Sequence, residues 1–312
     1  MQQEYHDVLS GMQGRDILVI GDMVADIYLD GRISRISREA PVLVLEQAGE
    51  KVVAGGAANV VNNIATLGGK VHAVGLVGRD KSADGLRAIL AKNGADVRGL
   101  IADDSRPTIS KTRIIAGGRA TVSQQIVRID RESKAPMAPA VEAELCAYIK
   151  SVLPTVEGVV ISDYGSDTVT EGLQSLLIDY CQAKGIPSIV DSRYAVRRFH
   201  GIGYVKQNDA EIAAAKGVLV TRGELGMVLV EHGAVHEIPV SDKSEVFDVS
   251  GAGDTCVATV ILALAAGAEP ALAARLSNIA SGIAVRKLGT STVSVRELAE
   301  AVEKQHPEYP SK

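Results

Sequence analysis

The chain reads as an α/β protein: a mostly parallel central sheet, covered by helices on both faces, beneath a small β-sheet lid. Three observations carry that reading. Short β-branched strands alternate with helical stretches along most of the 312 residues, the pattern of βαβ units. Hydrophobic residues make up 46% of the chain but aromatics only 3%. The core must therefore be built from Ala, Val, Leu and Ile, which suits helices packed on buried parallel strands. Two segments, Ile27 to Val53 and Pro107 to Asp130, break the alternation, being strand-like, polar-alternating and without helices. They are expected to fold together as an antiparallel flap over the carboxyl ends of the strands, where open α/β sheets bind ligands. With no repeat, linker or low-complexity segment, one domain over 1–312 is expected, its lid formed by about 27–53 and 107–131.

The elements run in order along the chain. Asp16 to Gly21 is a short buried strand ending in Gly, the usual opening of such a sheet. Gly56 to Leu67 is an Ala- and Asn-rich helix, Lys70 to Val77 a strand, and Lys81 to Asn93 a helix closed by Gly94. Thr108 to Ile115 and Ala120 to Asp130 alternate around Gly117-Gly118 and read as a β-hairpin. From Val141 the βα alternation resumes, with strands at Gly158 to Ser162, Pro187 to Asp191, Gly203 to Lys206 and Gly217 to Thr221. The helices are Val141 to Leu153, Thr170 to Lys184, Gly253 to Ala266, Pro270 to Lys287 and Ser294 to Glu303. One connection is anomalous. Only Ala213 to Lys216 separate Glu211 from the strand that leads to Thr221, too little chain for a crossover between parallel strands. Either a true deletion lies here or a stretch is missing from the sequence.

Composition also excludes several functions. A net charge of −5, with no Arg/Lys run interleaved with aromatics, offers no face for a nucleic acid. Cys146, Cys181 and Cys256 are far apart in apolar, helix-like stretches, so structural thiols in a reducing cytoplasm are expected. Met1 to Arg15 lacks an apolar signal core, and Val257 to Ala266 is too short to span a bilayer.

The most informative segment is Asp248 to Thr255, Asp-Val-Ser-Gly-Ala-Gly-Asp-Thr, at the mouth of an apolar helix. Gly251, Ala252 and Gly253 let backbone N–H groups approach an anion, and the helix dipole favours negative charge there. An acid in that turn would repel phosphate unless it has other work. Asp254 as a general base, drawing a proton from a hydroxyl that attacks a phosphoryl group, meets that need. An N-cap Asp after a Gly-rich loop is the plainer alternative.

Other constellations stand at strand ends. Asp26 comes soon after the first strand and could accept hydrogen bonds from sugar hydroxyls, or simply cap a turn. Gly55, Gly56 and Asn59 open a helix where small residues would admit a ligand, and Asn59 suits vicinal hydroxyls. Asn208 and Glu211 share a helical face and could organise Mg²⁺-bound water near phosphates, or form a capping box. Thr221, Gly223 and Gly226 make a tight loop fit to lie beneath a nucleotide. Lys111, Arg113 and Arg128 alternate on lid strands and could grip a substrate phosphate, or act as solubilising edge charges. No P-loop is present, and Cys256 stands where a dinucleotide fingerprint needs its third Gly.

Taken together and in order, Gly21 to Asp26, Gly55 to Asn59, Asn208 to Glu211, Thr221 to Gly226 and Asp248 to Thr255 resemble the ribokinase-like (PfkB) carbohydrate kinases across essentially the whole chain. The resemblance implies a three-layer α/β sandwich with a β lid, ATP as donor and Mg²⁺. It implies Asp254 as base, Gly251 to Gly253 as anion hole, Asp248 beside a monovalent-cation (K⁺) site, and Asn278 and Ser281 lining the adenine pocket. A homodimer paired through lid strands is a further expectation.

Ser34 to Val42, Gln124 to Asp130 and Lys287 to Val293 are similar to the D-β-D-heptose 7-phosphate kinases, some of which carry a fused cytidylyltransferase. That subgroup phosphorylates the anomeric C1 hydroxyl of D-glycero-β-D-manno-heptose 7-phosphate, and here the kinase is expected to stand alone. Two departures touch the substrate phosphate. The subgroup's Ser-Asp-Tyr-x-Lys-Gly is Ser162-Asp163-Tyr164-Gly165-Ser166-Asp167, losing a lysine. Its Asp-Pro-Lys is Asp191-Ser192-Arg193, keeping charge but changing its shape.

Overall fold

The computed structural model describes residues 2–117, 123–207, 215–240 and 246–305. The chain opens with α1 (Gln2–Gly11), then β1 (Asp16–Gly21), β2 (Met23–Ile36), β3 (Leu43–Gly56), α2 (Ala57–Thr66), β4 (Lys70–Val77), α3 (Lys81–Lys92) and β5 (Leu100–Ala102). It continues through β6 (Ser110–Gly117), β7 (Gln124–Arg131), α4 (Pro139–Val152), β8 (Gly158–Asp163), α5 (Glu171–Lys184), β9 (Ser188–Ser192), β10 (Tyr204–Gln207) and β11 (Gly217–Thr221). It closes with β12 (Met227–Glu231), β13 (Ala234–Ile238), α6 (Ala252–Ala265), α7 (Pro270–Ala284) and α8 (Val295–Gln305).

The main sheet runs β13-β12-β11-β10-β9-β8-β1-β4-β5. Its strands from β11 to β5 pair parallel, and the β12 and β13 edge is antiparallel. Successive side chains of a strand face opposite sides, and the two cores obey this. Ile17 and Val19 of β1 face the layer containing α2, α6 and α7, whereas Leu18 and Ile20 face the layer of α4 and α5. Burial on both faces explains why β1 and β8 are nearly continuous apolar runs.

The lid is a second sheet, β3-β2-β6-β7. The sequence predicts an antiparallel flap, but β2 and β6 pair parallel, from Ala25↔Ser110 to Arg32↔Gly117. The two excursions are separated by βα units, so β6 enters the lid from the same end as β2 and cannot return antiparallel to it. Each excursion is internally antiparallel. The turn read at Gly117-Gly118 falls partly outside the described residues.

The connection after β10, read from the sequence as too short for a crossover, lies mostly outside the described residues. β10 and β11 pair parallel from Tyr204↔Gly217 to Gln207↔Val220. Not anticipated from sequence were α1 and the β12–β13 hairpin. No helix among the described residues is long and apolar enough to cross a membrane.

Candidate active site

The parallel strands aim their carboxyl ends at one edge, and their register brings the residues at and just past those ends side by side. Asp191 on β9 stands opposite Lys206 on β10 and Ser162 on β8. Asp22 comes directly after β1, and Tyr164 directly after β8. The N-terminus of α6 points into this edge and delivers Asp254 in its first turn.

Gly251 caps α6 with φ 82, a left-handed conformation that favours glycine. A Cβ there would also lie 2.7 Å from Asn59 Nδ2. At Gly253 a Cβ would stand 2.8 Å from Lys206 Nζ. The two glycines thus keep backbone amides, an asparagine amide and an ammonium close together without side chains between them. That is an arrangement suited to a multiply charged anion.

Asp254 is 5% exposed. Its Oδ2 accepts a hydrogen bond from Asn59 Nδ2 at 2.8 Å, and its Oδ1 accepts one from the Tyr164 hydroxyl at 3.0 Å. Burial pushes its pKa up to about 6, with the Asp191 charge adding to the rise and Asn59, Lys206 and Tyr164 opposing it. A carboxylate ionised near neutrality yet basic enough to take a proton is what general-base work requires. A second bond reinforces the α2–α6 contact: Thr255 Oγ1 donates to Asn63 Oδ1 at 3.0 Å. Asn59 and Asn63 lie one turn apart on α2, so this buried polar pair was visible in the sequence as a spacing.

Lys206 is 4% exposed and pairs with Asp191 Oδ2 at 2.9 Å. Burial pulls its pKa down, but the Asp191 carboxylate outweighs it and holds the ammonium above its ordinary value. It therefore stays charged beside Gly253. Sequence reasoning gave Lys206, Asp191 and Tyr164 no role of their own, although Tyr164 and Asp191 fall within the two segments where the chain departs from the heptose-kinase subgroup. The signal all three share is position, each lying at or just past the carboxyl end of a parallel strand.

A cleft of ≈ 1670 Å³ opens beside α6. It brings together Gly251, Ala252, Gly253 and Asp254 with Thr221, Gly223 and Gly226, and with Asn278 and Ser281 of α7. Asn278 Nδ2 donates to the Pro239 carbonyl at 2.7 Å, and Ser281 Oγ to the Ala252 carbonyl at 3.1 Å, so both also tie α7 to the cleft wall. Asn208 and Glu211 lie outside the described residues. Among the described residues no His/Cys/Asp/Glu cluster could hold a metal ion. Asp248 accepts from the backbone N–H groups of Ser250 and Gly289, at 2.9 and 3.0 Å.

On the other side of Asp254 lies the root of the lid. Asp26 is 6% exposed and takes an Arg113 bond at 2.6 Å and a Thr290 hydroxyl bond at 3.2 Å. Gly55 lets that carboxylate sit against the β3 backbone, since a Cβ would stand 2.5 Å from Asp26 Oδ2. Gly56 caps α2, which carries Asn59. Arg113 is thus engaged internally and also stacks on Tyr28, 5.3 Å from its ring centroid. Lys111 Nζ lies 5.5 Å and the Arg193 guanidinium 5.3 Å from the Tyr164 ring centroid. Arg128 stands opposite Arg113 across β6–β7 but is paired with Asp130 at 2.8 Å in solvent.

The sequence profile of the pfkB family carbohydrate kinases matches residues 15–217 and 211–297. The two stretches meet at the β10–β11 connection. The bifunctional protein HldE of Mesorhizobium japonicum is 36% identical over 96% of this chain and 64% of its own length. That of Citrifermentans bemidjiense is 41% identical over 91% of this chain and 63% of its own length. The chain therefore spans less than two thirds of these relatives. The alignment to the HldE of Pelobacter propionicus, 35% identical, runs over 336 residues against the 312 of this chain, so that relative carries chain absent here. Among solved structures, the ribokinase of Arabidopsis thaliana complexed with ribose and ATP superposes with a TM-score of 0.68 at 17% identity, covering 94% of this chain and 99% of that one. Phosphofructokinase-2 from Escherichia coli, in complex with substrates and products, gives 0.71 at 19% identity over 93% and 99%. At those identities the likeness is one of fold, and the fold is ribokinase-like. With the profile covering most of the sequence, and relatives more than a third identical along nearly all of it, this protein belongs to the pfkB family of carbohydrate kinases.

Proposed function

We propose that this chain is an ATP-dependent kinase that phosphorylates the C1 hydroxyl of D-glycero-β-D-manno-heptose 7-phosphate, giving the 1,7-bisphosphate. The observation that carries the phosphotransfer reading is Asp254 itself: a buried base with a pKa of about 6, one residue past a glycine cradle that also holds a lysine ammonium. ATP lies in the cleft lined by Thr221, Gly223, Gly226, Asn278 and Ser281, with its γ-phosphate at the amides of Gly251 to Gly253. The sugar lies under the lid, where Asp26 and Asn59 accept and donate to its hydroxyls. Asp254 takes the C1 proton as the sugar oxygen attacks phosphorus, and the bridging oxygen leaves with ADP. Lys206 and the α6 N-terminus stabilise the charge that spreads over the transferring oxygens.

The phosphorylated acceptor is supported by two cations left over. Among the described residues neither Lys111 nor Arg193 makes an ion pair, and both converge on Tyr164 above the base. Arg193 would there replace the positive charge of the subgroup's lysines, with a guanidinium's forked grip on phosphate. Mg²⁺ would neutralise the nucleotide phosphates, and Asn208 and Glu211 are its proposed organisers. A K⁺ site beside Asp248 is likewise part of the proposal, as are a cytoplasmic setting and a homodimer. For the last, Ile36, Val42, Leu43, Val127 and Ile129 of the lid are 45–65% exposed, an apolar surface suited to a partner lid.

The test is ATP consumption with Mg²⁺ and K⁺ over a sugar panel containing the heptose 7-phosphate, fructose 6-phosphate, ribose and adenosine, with products identified by NMR. Formation of a 1,7-bisphosphate from the heptose alone is expected. A stronger preference for an unphosphorylated acceptor overturns the assignment.

A further inference from the structure

The base is held from two sides, and one of the two holders has no role in the reaction as written. Tyr164 stands just past β8, and its hydroxyl donates to Asp254 Oδ1 at 3.0 Å while Asn59 holds Oδ2 at 2.8 Å. With one donor on each oxygen, the carboxylate plane is set by α2 on one side and by the loop after β8 on the other. A single donor would leave rotation about the Asp254 Cβ–Cγ bond free.

The geometry points to Tyr164 as a positioning residue that aims the Asp254 carboxylate at the acceptor hydroxyl, itself held in place by the buried carboxylate of Asp22. This rests on the reading of Asp254 as the base. Asp22 is 1% exposed, and its Oδ2 accepts from the backbone N–H groups of both Tyr164 and Ser166, at 2.8 and 3.1 Å. The two bonds anchor the loop's backbone at the residue whose side chain reaches Asp254. Gly56 lies against the same loop: a Cβ there would stand 2.7 Å from the Asp22 carbonyl oxygen and in ordinary contact, 3.5 Å, with Tyr164 Cε2.

The phenol is also kept in its donating form. The Asp254 charge, and then burial, raise its pKa well above the usual tyrosine value. A protonated hydroxyl facing an ionised carboxylate can only donate, so the bond has one direction wherever Asp254 is charged. Its ring meanwhile lies under Lys111 from the lid and Arg193 from the loop after β9. The residue that sets the base is therefore the same one on which the two proposed phosphate-binding cations rest. An acceptor whose phosphate draws on Lys111 and Arg193 would bear on the base through this ring, whereas a neutral sugar would not.

The test is Tyr164→Phe, which keeps the ring and removes the donor. The groups that face Asp254 are Asn59 from α2, Tyr164 from the β8 loop, Asp191 from β9 and Lys206 from β10, and only Tyr164 is changed. A hydrogen bond to a charged group stabilises the ionised form, so its loss should raise the Asp254 midpoint by about one pH unit. Two readouts report it. One is the acid limb of kcat/KM. The other is carboxyl-carbon NMR of the ligand-free protein, with the Asp254 resonance assigned by its absence in Asp254→Asn. Turnover should fall about tenfold, with KM for ATP little changed, because orientation acts on the reacting atoms. A fluorinated tyrosine at position 164, a stronger donor of nearly the same shape, should move the midpoint downward and covers the case in which Tyr164→Phe fails to fold. An Asp254 midpoint unmoved in folded Tyr164→Phe, or in the fluorinated protein, overturns the inference. The NMR titration needs no substrate. Absence of sugar turnover would thus remove the proposed function without touching this result, and an unmoved midpoint with normal turnover would do the reverse.

Discussion

Asp254 and Asp26 are both buried aspartates at the mouth of the same site, and their surroundings differ in kind. Asp26, at the root of the lid, is matched by a guanidinium at 2.6 Å. Asp254, at the mouth of α6, is held by neutral donors, an amide and a phenol, with its nearest cation, Lys206, already paired to Asp191. The Asp26 oxygens are committed, one to Arg113 and the other to the Thr290 hydroxyl. A carboxylate held by neutral groups in a dry pocket keeps its basicity and still has a fixed direction. The same side chain can therefore grip in one place and react in the other.

The largest effect should come from removing the reactive member. Asp254→Asn preserves shape and is expected to lower turnover by about 10²–10⁴-fold while leaving nucleotide affinity within a few-fold, measured by steady-state kinetics and calorimetric titration. Near-normal turnover would end the contrast drawn above.

Next comes the gripping member. Arg113→Ala leaves Asp26 buried without its cation. The expected cost is about 2–3 kcal/mol of stability, short of the full buried-pair penalty because Arg113 keeps 19% of its side chain exposed. Sugar KM should rise more than kcat falls. Chemical denaturation and kinetics on one preparation check both, and equal loss in kcat and KM would place Asp26 nearer the chemistry.

The smallest expected effect is on stability as a function of pH. Asp254 titrates at about 6 when folded against an ordinary 3.8. Its native form therefore binds a proton more readily than its unfolded form, and stability is lost as pH rises from about 3.8 to about 6, with no further change above. Asp254→Asn lacks that penalty. Its melting temperature should gain on wild type mainly between about pH 4 and 6, with the difference constant below about pH 3 and above about pH 7. Parallel curves across that range would show that burial does not tune this acid.

Much of the contrast was legible in the sequence. Asp254 lies within eight consecutive residues whose glycines and helix announce an anion site, and Asp26 comes soon after the first strand. Both are local patterns. The environments that separate the two acids are not local. Tyr164 is 90 residues from Asp254 and Asn59 is 195 residues away, and only parallel pairing of β1, β8, β9 and β10 brings them together. Lys206 read as the end of an apolar strand, with nothing nearby to suggest its partner on β9. The β12–β13 hairpin was missed for another reason. Met227-Val228-Leu229-Val230 is an apolar run, but His236 and Glu237 interrupt the second strand, and the hairpin pairs antiparallel with β11 rather than with a helix-spaced parallel neighbour. The parallel β2–β6 junction depends on which end each excursion enters from, and no local spacing states that.

The way β2 joins the two parts of the molecule has a mechanical consequence. It is one strand from Met23 to Ile36, beginning two residues after β1 ends, with β3 paired beside it nearly throughout. The lid is thus a cantilever clamped at its root rather than a door on a loop hinge. At the usual rise of about 3.3 Å per residue, Ile36 lies roughly 43 Å along the beam from Met23, and Asp26 only about 10 Å. Bending that carries the tip several ångströms displaces Asp26 by about a quarter as much or less. The outer strands can sweep widely to admit a sugar while the carboxylate that receives it stays almost still.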